Sequence, residues 1–260
     1  MELAQENGAS AAPEINQITT SDLWDCLKKG WSDYKRAPII GFFFSVFYII
    51  GGYIIISALA LSGEIWWAMP FTVGFPLLAP FAAVGLYATS RLIETNEEIR
   101  WGKVLGSAIA ERKRQIPWVG AIIVMWFLLY MLISHAIFAI TMGLTALTNI
   151  TTSYSLFFTP DGIVMLIAEI GVGAAFAFAL YSITLVSLPY LLDKEVDFVT
   201  AILTSIQCVI QNFTVLLLWA IIVGGLCLIA MTPALLGLFV ALPVLGHATW
   251  HMYRKLLKHP

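Results

Sequence analysis

Hydrophobic positions in this chain come in long unbroken runs rather than in alternation. Asp, Glu, Lys and Arg are absent from Ile39 to Ser62, from Ile65 to Ser90, and from Ile116 to Pro160, where His135 is the one ionisable side chain. Gly162 to Leu192 holds only Glu169, and Phe198 to Tyr253 holds none of the four. A helix needs roughly 20 apolar residues to cross the hydrocarbon core of a bilayer. The runs therefore predict six spans, at about 39–62, 66–90, 117–147, 162–190, 213–231 and 233–253. Helices follow because a membrane-barrel strand would alternate apolar and polar positions, and because lipid leaves open strand edges unsatisfied.

A short amphipathic stretch precedes each odd-numbered span. Before the first, Leu23, Trp24, Leu27 and Trp31 make an apolar stripe opposite Asp22, Asp25 and Lys29. Trp101, Val104, Leu105, Ala108 and Ile109 repeat the pattern before the third, and Phe198, Ile202, Ile206, Val209 and Ile210 before the fifth. Such stretches either lie in the headgroup plane or pack on the ends of the bundle. The segments "PFAAVGLYATSR" (Pro80–Arg91) and "PVLGHATWHMYR" (Pro243–Arg254) share Pro, an aromatic residue seven later and Arg eleven later. The predicted architecture is an all-α polytopic membrane bundle of three hairpins, each preceded by a short amphipathic helix. It occupies residues 21–260 as one domain, after a polar tail over 1–20 expected to be disordered.

Composition strengthens this reading. The chain is 60% hydrophobic and 12% charged, against roughly 25% charged residues in soluble domains. The first twenty residues lack the basic and apolar regions of a cleaved secretory signal. With the N-terminus in the cytoplasm, all 14 Lys and Arg residues fall on one side of the membrane, as the positive-inside rule requires. Both termini are then cytoplasmic. The three cysteines, Cys26, Cys208 and Cys227, are scattered and offer neither a disulfide framework nor a metal knuckle.

Few polar groups at membrane depth could carry chemistry. His135 and Glu169 fall in consecutive spans joined on the outer side, so they are expected to approach each other as a candidate intramembrane polar pair. That pair would be a proton or cation relay, or a hydrogen-bonded structural link. His247 and His251 share a helix face at i, i+4, and Asp193 could approach them in space, which makes a candidate polar or metal site. A zincin would need Glu after the first histidine, and Ala248 stands there. Zinc also wants three or four ligands with outer support. The metal therefore stays unknown and no cofactor is expected. Arg112, Lys113 and Arg114 form a basic cluster suited to anionic lipid headgroups. Neighbouring Glu94, Glu97, Glu98 and Glu111 argue against nucleic acid as a partner. No phosphate-binding loop, nucleophile elbow or dinucleotide fingerprint is present.

Several stretches resemble a family of bacterial integral membrane proteins, the domain of unknown function 2189 family. They are "DLWDCLKKGWSDYKRAP" at 22–38, "PLLAPFAAVGLYATSRLIE" at 76–94, "SLPYLLDKEVDFVTAILTSIQCVIQN" at 187–212 and "LPVLGHATWHMYRK" at 242–255. The resemblance implies a bacterial inner membrane and brings no activity and no catalytic residues. The expectation is a non-enzymatic scaffold, assembly or accessory factor. Its partners would be membrane lipids and other integral membrane proteins, possible respiratory complexes among them. The alternatives are a small-solute or ion transporter using the repeat interface, and a haem- or metal-binding redox protein.

Overall fold

The structure, a computed structural model, describes residues 13–62, 80–110, 115–143 and 157–258. The basic cluster Arg112–Arg114 and the outer part of the expected second span lie outside the described residues. So does most of the connection after the third span. Among the described residues every named element is a helix. In chain order they are α1 (Thr20–Arg36), α2 (Pro38–Ser62), α3 (Pro80–Glu94), α4 (Trp101–Ala110) and α5 (Ile116–Met142). There follow α6 (Pro160–Thr184), α7 (Ser187–Asp193), α8 (Phe198–Gln211), α9 (Phe213–Met231) and α10 (Leu238–Leu256).

Three stretches are long and apolar enough to cross a membrane: α5, α6 continued through α7, and α9. A fourth arises if α1 and the first part of α2, bent by 100° at their junction, count as one broken span. The six hairpin-paired crossings predicted from the sequence are thus seen only in this coarser form. Expected span six is a helix only from Leu238, since residues 232–237 form turns.

Local chemistry explains the breaks. Pro38 forces the preceding residue away from helical geometry, and Ala37 sits at φ −134°, ψ 53°, ending α1 while α2 leaves at a steep angle. Lys35 and Arg36 face the negative end of the α1 dipole. Thr159 caps α6 by accepting from the Gly162 N–H at 3.0 Å, with Pro160 at the first helical position. Between α6 and α7 a hydroxyl from another helix is wedged into the backbone ladder. Val186 N–H donates to Ser205 Oγ at 3.0 Å, and that hydroxyl donates to the Ser182 carbonyl at 2.7 Å. One i→i−4 bond is thus replaced by a two-bond bridge through α8, a recognised cause of helix bending.

All three amphipathic helices form, and Leu23, Val104 and Val209 of their apolar stripes are buried, but in α1 and α8 most of the buried positions are small residues beside the stripe. In α1 the buried positions are Leu23, Cys26, Gly30 and Asp33, whereas Trp24 and Trp31 are 62% and 45% exposed. In α8 the buried set is Ala201, Thr204, Ser205, Cys208 and Val209, with Ile210 outward. Where a bilayer bathes the outside, bulky apolar side chains lose nothing by facing it, and small residues let backbones approach closely. A Cβ added at Gly30 would lie 2.5 Å from the Val244 carbonyl oxygen and 2.7 Å from the Ala248 nitrogen. The α1–α10 crossing therefore requires glycine. It gives α1 a bundle-packing role on its small-residue face.

Residues 14–18, expected within a disordered tail, are tied to the bundle. Ile15 pairs with Leu257 in an isolated antiparallel bridge, and the Lys258 N–H donates to the Glu14 carbonyl at 3.0 Å. The buried Asn212 accepts from the Ile18 N–H at 2.9 Å and donates to the Asn16 carbonyl at 3.1 Å. The extended backbone of 14–18 is thus satisfied by the end of α10 and by the α8–α9 corner, which a reading of local polarity has no means to find.

Candidate functional site

The polar side chains of α10 converge on its neighbours at the basic end of the bundle. His247 and His251 do share one face, and the close passage of α1 at Gly30 brings Asp33 against it. His251 Nε2 donates to Asp33 Oδ2 at 2.8 Å, and Ser90 Oγ from α3 donates to the same oxygen at 2.9 Å. His247 Nδ1 is 2.7 Å from Ser90 Oγ. Asp33, Ser90 and His247 are all buried.

Proton counting fixes the polarity of this chain. Ser90 has one hydroxyl proton and gives it to Asp33, so it must accept from His247 Nδ1–H. The other nitrogen, His247 Nε2, is then left without a proton and is buried with no hydrogen-bond partner among the described residues. A serine nucleophile gives its proton toward an imidazole; Ser90 gives it away from one. The arrangement is suited to holding three helices together around a buried carboxylate.

Asp193, the acidic residue expected to join the histidines, is joined elsewhere: it accepts from Tyr253 Oη at 2.8 Å and lies 3.5 Å from Arg254 Nη1. Arg254 Nε also donates to Glu94 Oε1 at 2.9 Å, and Trp250 Nε1 donates to Glu94 Oε2 at 3.0 Å. Lys255 is bonded to Asp22 of α1. That hydrogen bond, together with one from the Thr19 backbone, pulls the Asp22 carboxyl down to about 2. Among the described residues no group of three or more His, Cys, Asp or Glu is arranged to hold a metal ion. Sequence reasoning missed Asp33 and Ser90. The i+3, i+7, i+10 relation of Leu23 to Cys26, Gly30 and Asp33 was the available signal for Asp33, and it was masked by the larger residues on the adjacent face; Ser90 had no local signal.

The second candidate pair falls in one place. Glu169 is 2% exposed, and its Oε1 accepts from Ser134 Oγ of α5 at 2.6 Å. The Tyr130 ring stands beside the same carboxyl and Ser134, although neither Tyr130 Oη nor Glu169 Oε2 makes a well-formed hydrogen bond. His135 Nδ1 lies 2.7 Å from the Met131 carbonyl oxygen on its own helix, and its ring is within electrostatic reach of Glu169. The direct contact to Glu169 across the α5–α6 seam belongs to Ser134, one residue and about 100° of helix from His135.

A cavity of about 530 Å³ lies between α2, α3, α6, α9 and α10. Its walls are almost wholly apolar, and several hydroxyls on them are turned back onto helix carbonyls. Ser45 donates to Gly41, Thr184 to Leu180, Thr249 to Leu245 and Tyr181 to Leu216. Helices this apolar, around buried polar ties and a hydrocarbon-lined cavity, define an integral membrane protein. Residues 68–193, from before α3 to the end of α7, match the model of the family described as "predicted integral membrane protein (DUF2189)". The segments at 22–38 and 242–255, which supply α1 and α10, lie outside the matched range. No curated protein and no solved structure matches the chain.

Proposed function

We propose that this protein is a six-span, non-enzymatic protein of a bacterial inner membrane, with both termini in the cytoplasm, serving as a scaffold or assembly factor for other integral membrane proteins. One observation carries the reading: the α5–α6 hairpin stands at the side of the bundle and presents large apolar residues outward on both of its helices. Met125, Leu128 and Leu132 on α5, and Val164, Ile167 and Ile170 on α6, are all exposed. Inside the hairpin the contact is knit by Glu169–Ser134 and by Trp126 Nε1 donating to the Phe176 carbonyl at 3.0 Å. A rigid two-helix blade of this kind offers a neighbouring span a surface at little entropic cost.

Transport of polar solutes finds less support, since the cavity walls are almost wholly apolar and the hydroxyls of Ser45, Thr184, Thr249 and Tyr181 are engaged. The test is site-specific photocrosslinking in the native membrane, with a benzophenone side chain at Leu132 or Ile167 and, as control, at Ile229 on α9. A discrete protein adduct from the hairpin positions that is absent at Ile229 is the expected result. Lipid adducts alone at all three would refute the proposal.

A further inference from the structure

We infer that the cavity between α2, α3, α6, α9 and α10 is a binding site for one acyl chain of a glycerophospholipid, with the ester carbonyl held by Tyr87. Three observations meet here. The first is depth. The cavity is lined by the parts of α3 and α10 that precede their basic ends, by α6 from Gly173 on and by α9 from Leu217 to Leu228, so it runs from the leaflet on the side of the lysines and arginines across the middle of the bundle. Hydrocarbon is the solvent there. Water needs two to four polar partners to occupy a cavity, and the wall hydroxyls of Ser45, Thr184 and Thr249 are spent on helix carbonyls. The volume, about 530 Å³, falls inside the ~300–1,000 Å³ common for ligand sites.

The second is unmatched donors: Trp219 Nε1, on a cavity-lining residue of α9, is buried with no hydrogen-bond partner among the described residues. Tyr87 lines the cavity and is 4% exposed, yet its hydroxyl meets no hydrogen-bond partner among the described residues; Tyr48 on α2 is its polar neighbour. A phenol donor at the edge of an apolar cavity fits a single carbonyl oxygen.

The third is charge at the right height. Arg91 follows Tyr87 by four residues on the same face of α3, about 6 Å further toward the basic end. Its guanidinium donates to the Leu192 carbonyl at 2.6 Å and reaches Ser107 Oγ at 3.5 Å, with no carboxylate bonded to it among the described residues. An ester carbonyl at Tyr87 would place a lipid phosphate near that cation. A prenyl quinone, the other long-chain carbonyl compound of such membranes, has no phosphate for Arg91 to meet.

The test is native mass spectrometry of the full chain purified in mild detergent, with extraction and identification of the retained lipid. Wild type is expected to keep one phospholipid per chain through washing that strips annular lipid. Gly224 lines the cavity, and a Cβ there meets nothing within 4 Å, so Gly224→Phe is expected to fill the space and lower retention at least tenfold. Tyr87→Phe keeps the ring and is expected to lower it several-fold. Gly106→Leu, at an open position on α4 away from the cavity, is expected to retain lipid as wild type does. Wild type free of phospholipid, a prenyl quinone in its place, or retention unchanged in both Gly224→Phe and Tyr87→Phe would each overturn the assignment. Tyr87→Phe keeps the question open to refutation should Gly224→Phe fail to fold.

Discussion

Removing Asp33 tests the account of the basic end most directly. Its Oδ2 accepts from Ser90 and from His251, at 2.9 and 2.8 Å, in a site 5% exposed. Hydrogen bonds to a charged group contribute about 1.5–3 kcal/mol each, and a partner left buried and unmatched adds its own desolvation penalty. Breaking one side of a buried pair costs about 3–5 kcal/mol. Asp33→Ala is therefore expected to destabilise by roughly 3–5 kcal/mol. His251 is more exposed, so His251→Ala should cost less, about 1–3 kcal/mol. If the two side chains act through each other, the double variant falls short of the sum by about 1–3 kcal/mol. The assay is equilibrium unfolding in mixed micelles of rising sodium dodecyl sulfate, followed by tryptophan fluorescence, which Trp250 reports from within the same collar. Coupling of less than about 0.5 kcal/mol, the ordinary scatter of independent sites, would show that Asp33 and His251 do not act as a pair and would refute the reasoning.

Other features make independent predictions. Gly30→Ala puts a methyl against Val244 and Ala248 backbone atoms that cannot rotate away, so a loss of about 1–3 kcal/mol is expected in the same unfolding assay; Gly102→Ala, in open space, should leave stability unchanged or raised. Asp22 is depressed from 3.8 to about 2 by Lys255 and the Thr19 backbone. Its stabilisation should be complete above its ordinary value and lost as pH falls through about 2. Unfolding midpoints between pH 5 and 2 should show this acid loss in wild type, and Asp22→Asn should flatten it. Ser205→Ala removes the wedge between Ser182 and Val186, and hydrogen exchange at the Val186 amide should accelerate at least tenfold or the helix should straighten. Cys26 is fully buried and its thiol is pushed up to about 12 by desolvation, so maleimide should label it only after unfolding; labelling of the folded protein would contradict the packing of α1.

What was legible in the sequence follows from which forces act locally. The helical class and the positions of α2, α5, α6 and α9 come from runs with few or no charges, because transfer into lipid is decided residue by residue. The three short helices before α2, α5 and α9 were legible from periodicity. Their buried faces were legible only in part, because the usual equation of large apolar residues with the interior assumes water outside. Trp24 and Trp31 in α1 and Ile210 in α8 show the reversal. Among candidate residues, Glu169 and His135 were placed on facing helices by connectivity alone, and His247 and His251 on one face by helical period. Asp33, Ser90 and the strap at 14–18 depend on approaches between residues more than 150 positions apart, and no local pattern encodes them.

The distribution of these long-range ties has a consequence for assembly. α10 bonds to α1 through Asp33 and Asp22, to α3 through Ser90 and Glu94, and to α7 through Asp193, while its end holds the strap. It follows all of these partners in the chain. Until α10 arrives, α1 has only a small-residue face with a carboxylate in it, α3 ends with Glu94 lacking its arginine, and Tyr253 is not there to meet Asp193. The apolar runs can enter the membrane earlier, since each satisfies its own backbone. Insertion and packing are thus separated in this chain: lipid selects the spans one by one, and the polar side chains of a single late helix draw their basic ends together. That division accounts for the concentration of histidine, arginine and lysine in a helix that otherwise reads as a membrane crossing.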